Sequence, residues 1–391
     1  MIVVGLGAVG SAALYQLARR GVQAIGIDRF SPPHAQGSSH GETRITRCGV
    51  GEGAAYGPLV ARSHAIWDEI AAETGEQLLL RCGFMLIDGV SGEARPQQDP
   101  GFLDGTLASA RANHVPHALL DAGEAARRFP QFLLRGHERV YFEPGGGLVY
   151  PERCIAAQLR LAEAHGATVR RDETVVAVTP AGDGVAVRTD RATYSAARAI
   201  LAAGSWLPGL VGAPLAPIRL LRQVLHWFAV DDPAAYAPSR SPTFIWVHDD
   251  PPHDSFYGFP ILPGLTPGLK VATEQYTAVT PLPERLDRAV APSEVAAMFA
   301  RHVSGRMRGA HRTARQSTAC VYTTAPDNDF VIDRLDPGGA VSLVSACSGH
   351  GFKHSAAVGE LAAENALGLA MPDDRFRLSR LAGAAAVPDP V

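Results

Sequence analysis

Lysine is nearly missing from this chain: of its 36 basic residues, 34 are arginine and only Lys270 and Lys353 are lysine. Where a plain surface cation was wanted, the chain used arginine. The two lysines are therefore expected where a compact, deprotonatable ammonium is needed and a planar guanidinium does not fit. The competing reading is chance retention at two surface positions. Cysteine is also sparse. Residues 48, 82, 154, 320 and 347 form no Cys-x-x-Cys pair, which argues against a disulfide framework and a structural zinc, and no metal is expected. No apolar run is long enough to span a bilayer. A net charge of −3 supplies no basic field for nucleic acid or an anionic membrane, so neither is expected as a partner. No charged segment precedes Ile2-Val3-Val4, and Asp389-Pro390-Val391 is not a peroxisomal tripeptide, so a cytoplasmic location is expected.

What is present reads as a well-packed globular chain. Apolar residues make up 46% and charged residues 19% of 391, which excludes a disordered chain and fits two or three domains. Val3-Val4 form a short apolar strand that runs into Gly5-Leu6-Gly7-Ala8-Val9-Gly10. Ser11 to Arg20 then has helical spacing and stops at Gly21. A second strand, Val22 to Ile27, ends at Asp28, eighteen residues after Gly10. This is strand, Gly-x-Gly-x-x-Gly, helix, strand, acid. Gly5 makes the tight turn, Gly7 lets the backbone approach a pyrophosphate, and Gly10 allows close helix packing. Asp28 can take a ribose hydroxyl. The motif predicts dinucleotide binding and does not separate FAD from NAD.

The remainder alternates strand-like and helix-like segments. Helices are expected over 61–73, 152–165 and 355–367, and strands over 83–87, 167–178, 185–188, 199–203 and 340–346. Residues 232–268, rich in Pro and Asp, read as including exposed loops, and the tail after Pro372 reads as loosely ordered. A nucleotide-binding start whose strand-turn-helix pattern returns near the C-terminus predicts a discontinuous cofactor domain with a second domain inserted. The expected fold is α/β: a Rossmann-like dinucleotide-binding domain over 1–84, 145–215 and 318–391. The inserted α+β substrate domain, built on an antiparallel sheet, covers 85–144 and 216–317.

Several side chains sit in suggestive settings. Arg44 and Arg47 follow the turn Gly37-Ser38-Ser39-His40-Gly41 and fit an anion site, or else two solvated surface arginines. Cys320 lies in a strand-like run, where a buried apolar role is the usual one. Lys353 closes the glycine-flanked turn Gly349-His350-Gly351-Phe352, at the positive end of a helix. Lys270 opens a strand, and Glu274 falls on the same face if that strand is regular.

Taken in order, the glycine fingerprint, Gly37 to Arg47, Phe256 to Pro260 followed by Leu269-Lys270, Cys320 to Thr323, and Ser348 to Lys353 resemble one family over nearly the whole chain. It is the monomeric sarcosine oxidase and N-methyl-L-tryptophan oxidase family, within the D-amino-acid-oxidase-like flavoproteins. The resemblance selects FAD and implies a role for each matching residue. Cys320 matches the cysteine that carries FAD through a thioether. Arg47 and Lys353 match the pair that clamps the substrate carboxylate, and Arg44 the arginine near flavin N5. Lys270 matches the lysine that holds a water at N5 and activates oxygen. Tyr257 and Tyr322 match walls of the substrate cavity, and His350 the histidine beneath the flavin ring. His40 matches the second member of a His-His pair whose first is Ser39 here. Gly5, Gly7, Ala8, Val9, Gly10, Asp28, Arg29, Thr43, Val175, Gly204, Trp206, Gly349, Gly351 and Phe352 match further cofactor contacts.

The implied reaction is oxidation of a secondary, N-methyl amino acid to an imine, with oxygen reduced to hydrogen peroxide by a monomeric enzyme. The alternatives are an oxidase or dehydrogenase of a cyclic or larger amino acid, pipecolate-like, and a flavoprotein subunit without catalysis. One departure concerns the substrate. Sarcosine oxidases carry histidine four residues after the oxygen-site lysine, and this chain has Glu274. That carboxylate is expected to pair with Lys270, to attract a cationic side chain, or to face solvent if the strand shifts.

Overall fold

The computed structural model describes residues 1–90, 101–248, 254–336 and 338–382. The N-terminal strand Ile2–Val4 lies inside a six-stranded sheet, between Ile25–Ile27 and Ala199–Leu201. Thr168–Arg170 and Val341–Ser345 extend the sheet on either side, all in parallel, and Val331–Arg334 closes one edge in antiparallel. Strands buried on both faces read as short continuous apolar runs, which is how Ile2-Val3-Val4 and Ala199-Ile200-Leu201 read.

Helices Ala8–Arg19, Pro151–Ala164 and Ser355–Leu367 pack together on this sheet. Small residues let them approach. A Cβ on Gly359 would sit 2.3 Å from Ala12 Cβ. Ser11 Oγ donates to Gln158 Oε1 at 2.8 Å and ties the first two helices. The glycine turn is equally tight. Gly5 has φ +85°, and a Cβ on Gly10 would lie 1.7 Å from Gly5 O. Gly7 has only Ser39 Oγ near its missing Cβ, at 3.9 Å, so its backbone stays open to a ligand.

The second sheet has eight strands, ordered Ala310–Thr324, Arg219–Val230, Leu269–Ala272, Asp254–Gly258, Thr243–His248, Phe84–Asp88, Arg139–Glu143 and Ala118–Asp121. It is not purely antiparallel. Phe84–Asp88 and Thr243–His248 run parallel, where two separate excursions of the chain meet without a turn to fix their direction. Two strands of this sheet, Thr243–His248 and Asp254–Gly258, lie within 232–268, the stretch expected to include exposed loops, of which 249–253 fall outside the described residues. Their aromatic residues fill the sheet core, with Phe244, Trp246 and Phe256 buried. Ala310–Thr324 pairs with Arg219–Val230 along its length, across residue 318, so Cys320 belongs to this sheet. After Pro372, two short turns, Asp374–Phe376 and Leu378–Leu381, bury Phe376 and Leu381, so that much of the tail is anchored. Among the described residues, no helix is long and apolar enough to cross a membrane.

Replacing Gly10 tests the turn. Gly10→Ala forces the Gly5 carbonyl and the helix start apart, an overpacking cost of about 1–3 kcal/mol. The variant is expected to melt several degrees lower by calorimetry. An unchanged melting temperature would contradict the packing described.

Candidate active site

Two carboxylates shape the loop that carries both arginines. Before it, Glu152 accepts from Gly41 N at 2.7 Å and Glu42 N at 3.0 Å. After it, Glu143 accepts from Cys48 N at 2.7 Å, Gly49 N at 2.9 Å and Tyr141 Oη at 2.7 Å. Strand Arg44–Thr46 between them pairs with Gly147–Val149. Arg44 is thereby held against the larger sheet. Its Nη2 donates to Ser38 O at 2.7 Å and lies 3.8 Å from Cys320 Sγ.

Three cavities meet around this loop. The largest, about 560 Å³, is lined by Gly5, Gly7, Ala8, Val9, Asp28, Arg29, Val175, Gly204 and Trp206. Asp28 stands at its edge, held by Leu6 N at 2.6 Å and Phe30 N at 2.8 Å. A second, about 130 Å³, shares Ala8, Ser38, Ser39, Ala346 and Cys347 with the first. It adds Arg44, Arg47, Tyr257, Tyr322, Gly349, His350, Gly351, Phe352 and Lys353. A third, about 410 Å³, continues from it toward Phe102 and Tyr276. Gly10, His40, Thr43, Lys270 and Cys320 line none of the three and stand behind their walls. His40 is buried and its Nε2 has no hydrogen-bond partner among the described residues; burial and Arg44 pull its pKa down to about 3, so the ring is neutral.

The centre of the site is an ion triad. Glu52 Oε2 lies 3.1 Å from Arg47 Nη2, and Glu52 Oε1 lies 3.0 Å from Lys353 Nζ. Arg47 also donates to Gly49 O at 2.6 Å and lies over the rings of Phe84 and Phe102. Burial alone would raise the Glu52 carboxyl, but Arg47, Lys353 and His350 hold it well below the usual carboxylate range. Burial lowers the Lys353 pKa to about 8, with Glu52 opposing the fall. His350 donates from Nε2 to Asn328 O at 3.0 Å, and burial followed by Lys353 lowers its pKa to about 4, so it too is neutral. Glu52 was not singled out from the sequence. Its only local signal is Gly51-Glu52-Gly53, five residues beyond Arg47, and its lysine partner lies 301 positions away.

Both lysines are buried, which favours the reading of two specialised ammoniums over chance retention. Lys270 Nζ donates to Gly41 O at 2.6 Å, Thr43 O at 2.8 Å and Thr43 Oγ1 at 2.9 Å. It lies 4.3 Å from the Phe259 ring centroid. Burial and then Arg44 push its pKa well below the usual lysine value, while three acceptors favour the ammonium. Its strand ends at Ala272, so Glu274 turns away from it into the second and third cavities. Tyr257 Oη and Tyr322 Oη stand 3.4 Å apart in the cavity wall; burial raises Tyr257 to about 12 and Tyr322 well above the usual tyrosine value. Elsewhere, His248, Asp254 and His302 cluster closely, but the two rings bond each other at 3.1 Å and Asp254 pairs with Arg301.

Residues 1–365 match the model of a family described as FAD dependent oxidoreductase, DAO. The chain is 38% identical to a monomeric sarcosine oxidase of Streptomyces avermitilis, over 99% of this chain and 98% of that protein. It is 33% identical to an N-methyl-L-tryptophan oxidase of Salmonella agona, over 97% of this chain and 98% of that protein. In fold it is similar to the glycine oxidase of Geobacillus kaustophilus, with TM-score 0.76 and 20% identity, covering 97% of this chain and 98% of that one.

The triad predicts a pH dependence for simple anions. Above about pH 8 the Lys353 ammonium loses its proton. Acetate binding, followed by calorimetry, is therefore expected to weaken as pH rises through about 8. Lys353→Met should remove that step, and Glu52→Gln should move it to lower pH, because the carboxylate that favours the ammonium is gone. Identical profiles in all three proteins would contradict the assignment.

Proposed function

This chain belongs to the FAD-dependent oxidoreductase family, and from that premise we propose that it oxidises a secondary, N-methyl amino acid at a C–N bond. The relatives named as sarcosine oxidase and N-methyl-L-tryptophan oxidase support that substrate class. The observation that carries the reading is the convergence of two buried cations, Arg47 and Lys353, on one carboxylate in a cavity that adjoins the glycine turn.

The residues present fit FAD. The large cavity offers an open backbone at Gly7 and an acid at Asp28, and Trp206 and Val175 line its wall. When bound, FAD supplies a hydride acceptor for the C–H bond beside nitrogen and passes the electrons to oxygen, giving peroxide. The chain supplies the rest. Arg47 and Lys353 take the substrate carboxylate through charge-assisted hydrogen bonds and fix the carbon to be oxidised. Their charges disfavour a further positive charge and so favour the neutral amine. Tyr257 and Tyr322 wall the amine from water. Lys270 serves the oxygen step as a fixed charge behind the wall. A water-holding role fits it less well, because all three of its hydrogens already have acceptors.

Cys320 is the proposed covalent attachment point. Cys347, half-buried and lining both inner cavities, is the competing thiol. Under denaturing electrophoresis the native chain is expected to keep flavin fluorescence. Cys320→Ser should lose it and Cys347→Ser should keep it; the reverse pattern would move the attachment to Cys347.

Anaerobic mixing with N-methyl amino acids tests the reaction. The flavin absorbance is expected to bleach and to return with oxygen, with peroxide released. Lys353→Met should slow bleaching about ten- to a hundredfold, the worth of one charge-assisted contact of roughly 1.5–3 kcal/mol. Lys270→Met should slow the return instead. No bleaching by any secondary or primary amino acid would favour a flavoprotein without catalysis.

A further inference from the structure

Glu274 has no cation of its own. Its one hydrogen bond, among the described residues, comes from Tyr276 Oη at 3.3 Å, and it forms no ion pair. By its accessible surface it is exposed, and it lines both the second and the third cavity. Desolvation by the cavity walls and then the nearby Glu52 raise its pKa, with Lys353 and Arg47 opposing the rise.

The position is telling. Arg47, Glu52, Ile245, Tyr257, Glu274 and His350 line both the inner cavity and the 410 Å³ chamber beyond it. They form the passage between the two. A substrate carboxylate that takes over Arg47 and Lys353 also takes both ion partners from Glu52. Two cations then face three carboxylates: the substrate's, Glu52 and Glu274. The site is short of one positive charge. The outer chamber has room for a side chain of several carbons, and Phe102, Phe256 and Tyr276 line it with apolar surface that suits an alkyl stem and a cation over a ring.

We propose that the preferred substrate is the N-methyl derivative of a basic amino acid, whose side-chain ammonium or guanidinium is received by Glu274 at the mouth of the outer chamber. The proposal rests on the secondary-amino-acid reading above and deepens it. Ordinary sarcosine would be oxidised, but would leave Glu274 without its partner.

The test uses the flavin-loaded enzyme, mixed anaerobically with sarcosine, Nα-methyl-L-norleucine or Nα-methyl-L-lysine, with flavin bleaching as readout. The last two differ essentially in the terminal ammonium, which is charged at neutral pH. The second-order reduction constant is expected to be about ten- to a hundredfold larger for the lysine derivative, the worth of one charge-assisted contact. Glu274→Gln should bring the ratio of lysine to norleucine derivative close to one, and Glu274→Asp should restore part of it. Equal constants in the wild type, or a ratio that Glu274→Gln leaves unchanged, would overturn the proposal. If Glu274→Gln does not fold, the wild-type ratio and Glu274→Asp decide. Bleaching by sarcosine without a preference for the lysine derivative would overturn this proposal alone. No bleaching by any of the three would overturn the underlying reading as well.

Discussion

Everything at the inner cavity depends on how two buried cations are kept charged. A guanidinium and an ammonium side by side, away from bulk water, repel each other and lose hydration. Glu52 answers both costs by bridging Arg47 and Lys353. Under the proposed function, the arrangement keeps ready the two charges that a substrate carboxylate would take over from Glu52. Removing either cation leaves the other balanced by Glu52 but halves the charge facing the cavity, and removing Glu52 lets burial drive the Lys353 proton off at lower pH. The triad is thus both a stabilising element of the free protein and the geometry of its anion site.

The rest of the molecule serves to bring the three charges together. Lys353 arrives on the turn after strand Val341–Ser345 of the parallel sheet. Arg47 and Glu52 arrive on the loop between Arg44–Thr46 and the helix Gly57–Thr74. Glu143 holds the start of that loop and Glu152 the turn before the strand, both by accepting from backbone N–H groups. The larger sheet closes the far side with Tyr257, Tyr322 and Glu274. A cavity wall drawn from two sheets is exposed to any shift between them, and Lys270 ties the seam by its three bonds to Gly41 and Thr43.

Much of this was legible in the sequence where the determinant is local. The strand, the glycine turn and Asp28 lie within thirty residues, and each glycine's role follows from sterics that the structure repeats at Gly5 and Gly10. The rarity of lysine marked Lys270 and Lys353 before any contact was known. What was not legible depends on encounters between distant segments. The parallel pairing of Phe84–Asp88 with Thr243–His248 leaves no turn to read. Glu52, Glu143 and Glu152 look like ordinary surface acids until the chain segments they bind are placed beside them. Glu274 drew notice only as a departure from a known pattern. Its orientation away from Lys270 follows from where its strand ends.

The central claim is that a substrate carboxylate replaces Glu52 on Arg47 and Lys353. A crystal structure of the flavin-loaded protein with acetate, which carries the carboxylate and no amine to oxidise, puts this to the test. The ligand carboxylate is expected within hydrogen-bond distance of Arg47 and Lys353, with the Glu52 side chain rotated off at least one of them. A ligand bound elsewhere in the cavity, with Glu52 still bridging both cations, would contradict it.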